Sequence, residues 1–284
     1  MTRPIGIFGI GLIGNAIAIR LISNGYQVSG CDPDPARGAA LEQMGGKACD
    51  AQSIWETGCV FSCVFDTDQL ESLIVDAPAI TATLISVSTC DPDRMAGLGQ
   101  MAAAKGITLI EAPISGTSRS LAAGDVLLMV AGDRDVAHDL APVFQALSRA
   151  HIHVGDHGNG NRAKLAINLV LGLNRAALAE GMVFAETLGI APDDFLNLAK
   201  ASAAYSSVMD GKGTLMATRD FTAQGRIVQS HKDFELIADK AAQANQGLPF
   251  TQTYLNMMRD ALDHGEGDLD NSAVLLPIAR AKPD

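Results

Sequence analysis

The chain has 284 residues, 48% hydrophobic and 19% charged, which is enough apolar material for a globular core and a length suited to about two domains. Its formal net charge of −11 at pH 7 argues against nucleic acid or an anionic membrane surface as a partner, since both are bound through clustered Lys and Arg. An anionic small molecule would have to be held by a local site, because the field of the whole chain repels it.

Along the first half, short apolar strands alternate with helical stretches. The pattern predicts a buried strand at Ile5–Gly9, a helix at Leu12–Ser23, a strand at Gln27–Cys31 and a helix at Pro35–Met44. Further strands are expected at Val60–Phe65, Leu84–Val87 and Ile107–Ile110, with a helix over Asp91–Lys105. Val126–Ala131 follows a Gly124-Asp125 turn signal, and Ile152–Val154 is one more short strand. This alternation implies a doubly wound, largely parallel sheet. From Arg162 to Leu188 the sequence is rich in Ala, Leu and Glu without a breaker cluster, so a single helix of about 40 Å is expected. The remainder, to about Leu262, is helical in composition, and the tail after His264 is expected to be loosely ordered. The fold class is therefore α/β: a doubly wound N-terminal domain over residues 1–158 and an all-α C-terminal domain over residues 159–284, joined by the long helix.

Five cysteines, at 31, 49, 59, 63 and 90, form no C-x-x-C pair and read as buried or free thiols of a reducing compartment. The apolar run Ile5–Ile22 holds glycines at turn spacing and no cleavage site follows it. It reads as strand, turn and helix, with a cytoplasmic location and no membrane association expected.

Gly9-Ile10-Gly11-Leu12-Ile13-Gly14 matches G-x-G-x-x-G between a strand and a helix. Gly9 permits the tight turn, Gly11 lets the backbone approach a pyrophosphate, and Gly14 allows close helix–strand packing. The N–H groups at the helix start, from Leu12 and Ile13 onward, offer a positive dipole end to phosphates. A bare glycine motif is weak; here Asp32, 23 residues after Gly9 at the end of the second strand, completes it. A carboxylate at that point accepts ribose hydroxyls and repels a 2′-phosphate, favouring NAD, while Arg37 leaves NADP open.

Three later segments extend the pattern. Glu111-Ala112-Pro113-Ile114-Ser115-Gly116 follows a strand, Gly158-Asn159-Gly160-Asn161-Arg162-Ala163-Lys164 leads into the long helix with Asn168 four residues on, and His231-Lys232-Asp233-Phe234 opens another helix. With these blocks the sequence resembles the β-hydroxyacid dehydrogenase family, which includes 3-hydroxyisobutyrate dehydrogenases and tartronate semialdehyde reductases. The family pattern D-A-P-V-S-G-G is similar to Glu111–Thr117, and G-x-G-x-x-x-K-x-x-x-N is met by Gly158, Gly160, Lys164 and Asn168. K-D-L resembles Lys232-Asp233-Phe234, and S-T-x-x-P resembles Ser88-Thr89-Cys90-Asp91-Pro92.

The resemblance implies reversible, NAD-dependent oxidation of a small anionic 3-hydroxy acid to its semialdehyde or keto acid. It gives Lys164 the acid–base role and places the substrate carboxylate on Ser115 and the N–H groups of Gly116 and Thr117. It also implies Thr89 near the nicotinamide and Lys232 closing over cofactor or substrate. The residue types suit these roles. Lys164 and Asn168, at i and i+4, share a helix face, and the positive helix start disfavours an ammonium at Lys164. Asn168 lies in the otherwise apolar stretch Leu165–Leu173 and needs a partner, either a ligand or Lys164 itself.

The chain departs from the family where Thr117 and Ser120 replace glycines, Asp125 replaces a threonine and Glu111 replaces an aspartate. These changes bear on the substrate. His151, His153 and His157 lack the Cys or carboxylate partners of a tetrahedral site, so no metal is expected. Two competing readings are an NAD(P)H-dependent aldehyde, keto-acid or imine reductase on the same scaffold, and a non-catalytic cofactor-sensing protein. Lys164 weighs against imine reduction, and the shortage of basic clusters weighs against a sugar-phosphate substrate. Composition and family resemblance together suggest a homo-oligomer.

Overall fold

The computed structural model describes residues 3–282, and the chain divides into two compact units that part between Lys164 and Leu165. In the first, strands β1 (Ile5–Phe8), β2 (Val28–Cys31), β3 (Lys47–Ala48), β4 (Cys59–Ser62), β5 (Ala82–Ser86) and β6 (Ile107–Glu111) are parallel, in the order β3-β2-β1-β4-β5-β6. Strand β8 (Leu127–Gly132) runs antiparallel to β6 and to the short β7 (Ile114–Ser115), and β9 (Ala150–His153) lies parallel on β8. The order reverses between β1 and β4, the point where open α/β sheets hold ligands at their carboxyl ends.

Period-two alternation divides the strand side chains between two cores. Ile5, Ile7, Phe61, Ile85 and Ile110 join Ile17 and Leu21 on one face, while Phe8, Val60, Leu84 and Leu109 join Trp55, Leu70 and Met95 on the other. A strand covered on both faces needs a continuous apolar run, which is what β1 and β4 present.

Connecting helices are α1 (Leu12–Ser23), α2 (Pro35–Gln43), α3 (Ala51–Trp55), α4 (Thr67–Asp76), α5 (Met95–Ala103), α6 (Ser118–Ala122), α7 (Arg134–Asp139) and α8 (Ala141–Leu147). Four of them begin on an aspartate whose side chain accepts a first-turn N–H: Asp34, Asp50, Asp66 and Asp133. Each cap contributes about 1 kcal/mol. Part of the acidic surplus is thus structural. Asp66 also explains why β4 stops at Ser62, three residues before the expected end: the chain must turn to start α4.

Helix α9 (Asn159–Thr187) runs for 29 residues and carries the chain from the first unit into the second. Among the described residues it is the one helix long and apolar enough to cross a membrane by length and composition, yet its Leu178, Ala179 and Met182 are core residues of the second unit. That unit is helical: α10 (Pro192–Ala201), a π turn at Met209–Gly213, α11 (Thr214–Thr218), α12 (Ile227–Gln243), α13 (Pro249–Asp263), a 3-10 turn at Asn271–Val274 and α14 (Leu275–Arg280). Gly172 lets α9 close on α12, since a Cβ there would sit 2.4 Å from Cζ of Phe234. Phe234 stacks edge-on against Tyr254, with ring centroids 4.5 Å apart.

Contrary to the expectation of a loosely ordered tail, residues 265–280 fold through a 3-10 turn and α14. Asp270, fully buried, accepts from Lys212 Nζ on its two carboxylate oxygens, at 2.8 and 2.7 Å, and from the N–H groups of Ser272, Gln224 and Gly225. Ala273, Val274 and Leu275 are buried beyond it. A pair 58 residues apart ties the segment down, and a local composition reading has no access to such a pair.

Candidate functional site

The glycine loop leaves β1 at the reversal point. Gly9 has φ +83°, and its Cβ position lies 2.8 Å from the Cys63 carbonyl oxygen. A Cβ on Gly14 would come within 1.9 Å of the Gly9 carbonyl oxygen, so α1 starts as close to the strand as backbone allows. Gly11 is different: only the Arg37 Nη1, at 3.6 Å, lies near its Cβ position. It is also the N-cap of α1, with no side-chain cap and no acid in the first turn. The N–H groups of Leu12, Ile13 and Gly14 therefore face an end that suits an anion.

Asp32, just past β2, has a nearly buried side chain. Its Oδ2 accepts the Ile10 N–H at 2.6 Å and the Arg37 Nη1 at 3.2 Å, and its Oδ1 accepts the Asp34 N–H at 2.9 Å. The carboxylate thus braces the glycine loop from the next strand, which adds a role to the expected one. Room at Gly11, the uncapped helix start and this carboxylate fit a dinucleotide.

Thr89 is half-buried beyond the carboxyl end of β5, beside Cys90, which is fully buried. Ser115 ends β7 and pairs with Leu127, and Gly116 follows with φ +151°. The two hydroxyls that replace expected glycines meet each other: Thr117 caps α6 by accepting the Ser120 N–H at 3.1 Å, and the two side-chain oxygens lie 3.1 Å apart. The altered loop is a capped turn. Arg119 on it is exposed.

Lys164, half-buried on α9, donates from Nζ to the Ile114 carbonyl at 2.5 Å. That contact brings its amine to the residue preceding Ser115. Of the expected site residues in the first unit, the structure gathers Lys164 with the Ser115–Gly116 segment, and Gly9, Gly11, Gly14 and Asp32 with each other.

In the second unit, Asn168 Nδ2 donates to Asp233 Oδ2 at 2.8 Å, and Lys232 Nζ lies 3.1 Å from Asp233 Oδ1. The partner of Asn168 is therefore Asp233, and not Lys164, whose amine goes to Ile114. Asp233 holds Asn168 and Lys232 together, and the K-D pair in the sequence was the available signal for it.

Sequence reasoning also missed a buried network. Glu111, at the end of β6 and fully buried, accepts the Gly158 N–H on Oε1 and both the N–H (3.0 Å) and Nδ2 (2.6 Å) of Asn161 on Oε2. Asn161 Oδ1 in turn accepts the Cys90 N–H at 2.7 Å. The histidines take separate paths: His153 and His157 donate from Nε2 to the carbonyls of Gly132 and Leu109, each at 2.9 Å, and His151 packs on Phe144. Among the described residues, no three His, Cys, Asp or Glu side chains gather as a metal-binding group. All five cysteines are free thiols, and burial pushes the Cys63 thiol far above its usual range.

Residues 4–155 match the NAD binding domain of 6-phosphogluconate dehydrogenase, and residues 158–278 match the NAD-binding domain of NADP-dependent 3-hydroxyisobutyrate dehydrogenase. The chain is similar to 2-(hydroxymethyl)glutarate dehydrogenase of Eubacterium barkeri, 28% identical over 95% of this chain and 93% of that protein. It is likewise similar to L-threonate dehydrogenase of Cupriavidus necator, 26% identical over 97% of this chain and 96% of the relative. Among solved structures, a 3-hydroxyisobutyrate dehydrogenase from Salmonella typhimurium superposes with a TM-score of 0.87 at 26% identity, covering 96% of this chain and 98% of that one.

Proposed function

The chain belongs to the β-hydroxyacid dehydrogenase family, which includes the 3-hydroxyisobutyrate dehydrogenases, and from that premise we propose that it reversibly oxidises a small 3-hydroxy acid to its semialdehyde or keto acid, with Lys164 as acid–base and NAD preferred over NADP. The observation that supports this reading is the Lys164 Nζ hydrogen bond to the Ile114 carbonyl, which brings an amine to the residue before Ser115.

A bound nicotinamide supplies the hydride acceptor, or the donor in the reverse direction. The chain supplies the rest. Ser115 Oγ and the N–H groups of Gly116 and Thr117 hold the substrate carboxylate, orienting the hydroxyl toward Lys164. In oxidation, neutral Lys164 takes the hydroxyl proton as the carbon loses its hydride; in reduction the ammonium returns that proton to the alkoxide oxygen. Asp233 fixes the side-chain amide of Asn168. Thr89 flanks the nicotinamide.

The proposed NAD preference is supported by Asp32, since a carboxylate at the end of the second strand accepts ribose hydroxyls and opposes a 2′-phosphate. The proposed assembly is a cytoplasmic homo-oligomer. Exposed apolar side chains on the second unit, Val170, Phe184, Leu188 and Leu198 among them, support self-association.

A turnover assay over a panel of 3-hydroxy acids with NAD and with NADP tests the reading. The expected result is oxidation of at least one member with NAD. NAD binding without turnover of any member would point instead to a cofactor-sensing protein.

A further inference from the structure

We propose that Glu111 and Asn161 form a positioning device for Lys164, and that neither touches substrate; this rests on the acid–base role given to Lys164 above. Three segments meet on this pair. Glu111 ends β6, four residues before Ser115; Asn161 lies in the first turn of α9, three residues before Lys164; Cys90 follows Thr89 beyond β5. Asn161, itself fully buried, spans the other two: its amide nitrogen donates to Glu111 and its oxygen accepts from Cys90. Because one end must donate and the other accept, the amide has a single working orientation.

Both glycines ahead of Lys164 serve this contact. A Cβ on Gly160 would lie 3.0 Å from Glu111 Cβ and 3.0 Å from Oε2, so a larger residue would push α9 off β6. Gly158 has φ +93°, and a Cβ there would sit 2.5 Å from the Pro92 carbonyl oxygen. The helix start is thus pressed onto the loop after β5 and the end of β6 together. Lys164, one helical turn from Asn161 on the same face, then meets Ile114, three residues beyond Glu111. Two anchors, Glu111–Asn161 and Ile114–Lys164, fix the amine in two dimensions.

The length of Glu111 is part of the device. Its carboxylate reaches three donors with two oxygens, and the family pattern has the shorter aspartate at this position. Here Glu111 and Asn161 are matched to each other in reach and in polarity.

The polarity gives a sharp test. Glu111→Gln keeps the shape but replaces one acceptor with an NH2 group. Whichever way that amide turns, it presents hydrogens to Gly158 or to Asn161. The double variant Glu111→Gln/Asn161→Asp reverses the pair: the new amide donates to the new carboxylate, which still accepts from Cys90, and only the N–H of residue 161 loses a partner.

The experiment measures kcat, NAD affinity and amide hydrogen exchange at Cys90 and Gly158 for wild type, Glu111→Gln, the double variant and Lys164→Ala. A misplacement of the amine by ~1 Å costs on the order of 100-fold in rate. Glu111→Gln is therefore expected to lose about 100-fold in kcat per folded molecule, with NAD affinity within about twofold of wild type and faster exchange at Cys90 and Gly158. The double variant is expected to recover about tenfold of the kcat and most of the protection. If Glu111→Gln does not fold, Glu111→Asp, which keeps the charge and shortens the reach, carries the same expected kcat loss. Unchanged kcat per folded molecule in the Glu111 variant, alongside a large loss in Lys164→Ala, would overturn the positioning role. So would a double variant that regains protection but no rate. If Lys164→Ala turns over like wild type, the acid–base reading itself fails, and the exchange data still report whether Glu111 and Asn161 hold the helix start.

Discussion

Replacing Asp32 separates the bracing of the glycine loop from the cofactor selection proposed for the same carboxylate. The Ile10 N–H reaches the nearly buried Asp32 carboxylate at 2.6 Å, and a bond of that kind to a charged acceptor is worth about 1.5–3 kcal/mol. The Asp34 N–H bond is exposed, and the Arg37 side chain of the ion pair is 42% exposed, so each adds about 0–1 kcal/mol. Asp32→Ala should therefore cost about 1.5–5 kcal/mol, and Asp32→Asn, which keeps one acceptor oxygen, about half of that. Urea denaturation followed by circular dichroism measures both. Cofactor affinity should move separately. Asp32→Asn loses the charged acceptor for the ribose hydroxyls and the repulsion of a 2′-phosphate, so NAD binding is expected to weaken about tenfold while NADP binding holds or improves. Titration calorimetry with both cofactors reads the ratio. A folded Asp32→Asn variant whose NAD-to-NADP ratio stays within about twofold of wild type would refute the selection argument, and undiminished stability would refute the bracing argument.

Two other outcomes follow from the packing. Gly14→Ala puts a Cβ 1.9 Å from the Gly9 carbonyl oxygen, so α1 must shift; a loss of about 1–3 kcal/mol and of NAD binding is expected in thermal melts and titrations. Gly97→Ala is the control, since its Cβ position on α5 has no neighbour within 4 Å and the change should stabilise by about 0.4–1 kcal/mol. Burial pushes the Asp270 carboxyl up, but the Lys212 ammonium and the N–H groups of Ser272 and Gln224 outweigh it and hold it below its ordinary 3.8. A carboxyl depressed by folding contributes stability that is complete above the unfolded value of about 3.9 and fades as pH falls through the folded one. Asp270→Asn is expected to cost about 3–5 kcal/mol at pH 7, because it leaves Lys212 charged and buried, and to remove part of the acid dependence of unfolding.

Elements governed by local pattern could be read from the sequence. Helix α1 runs Leu12–Ser23 as expected, because the glycines set its start and the apolar run its extent. The glycine loop and its distant Asp32 were legible for the same reason: each residue does a separable geometric job. What escaped was non-local or too short to have a period. The Thr117–Ser120 turn looked like a loss of two glycines, whereas in the fold the two hydroxyls meet each other and Thr117 caps α6. Glu111 looked like a conservative departure, while its partners lie 47 and 50 residues away. Asn168 was recognised as a buried amide in need of a partner, but Asp233 stands 65 residues on, beyond the reach of helix spacing. Polar residues buried in pairs are the hardest to foresee, because each partner taken alone reads as surface.

The proton chemistry at Lys164 is tested most directly by single-turnover oxidation of the best 3-hydroxy acid from the substrate panel, comparing wild type with Lys164→Ala at saturating NAD. General acid–base catalysis contributes about 10²–10⁴-fold. A rate loss in that range with NAD affinity unchanged is expected, since the Lys164 amine reaches the Ile114 carbonyl beside the proposed substrate loop. A rate within a few-fold of wild type in the folded variant would contradict it.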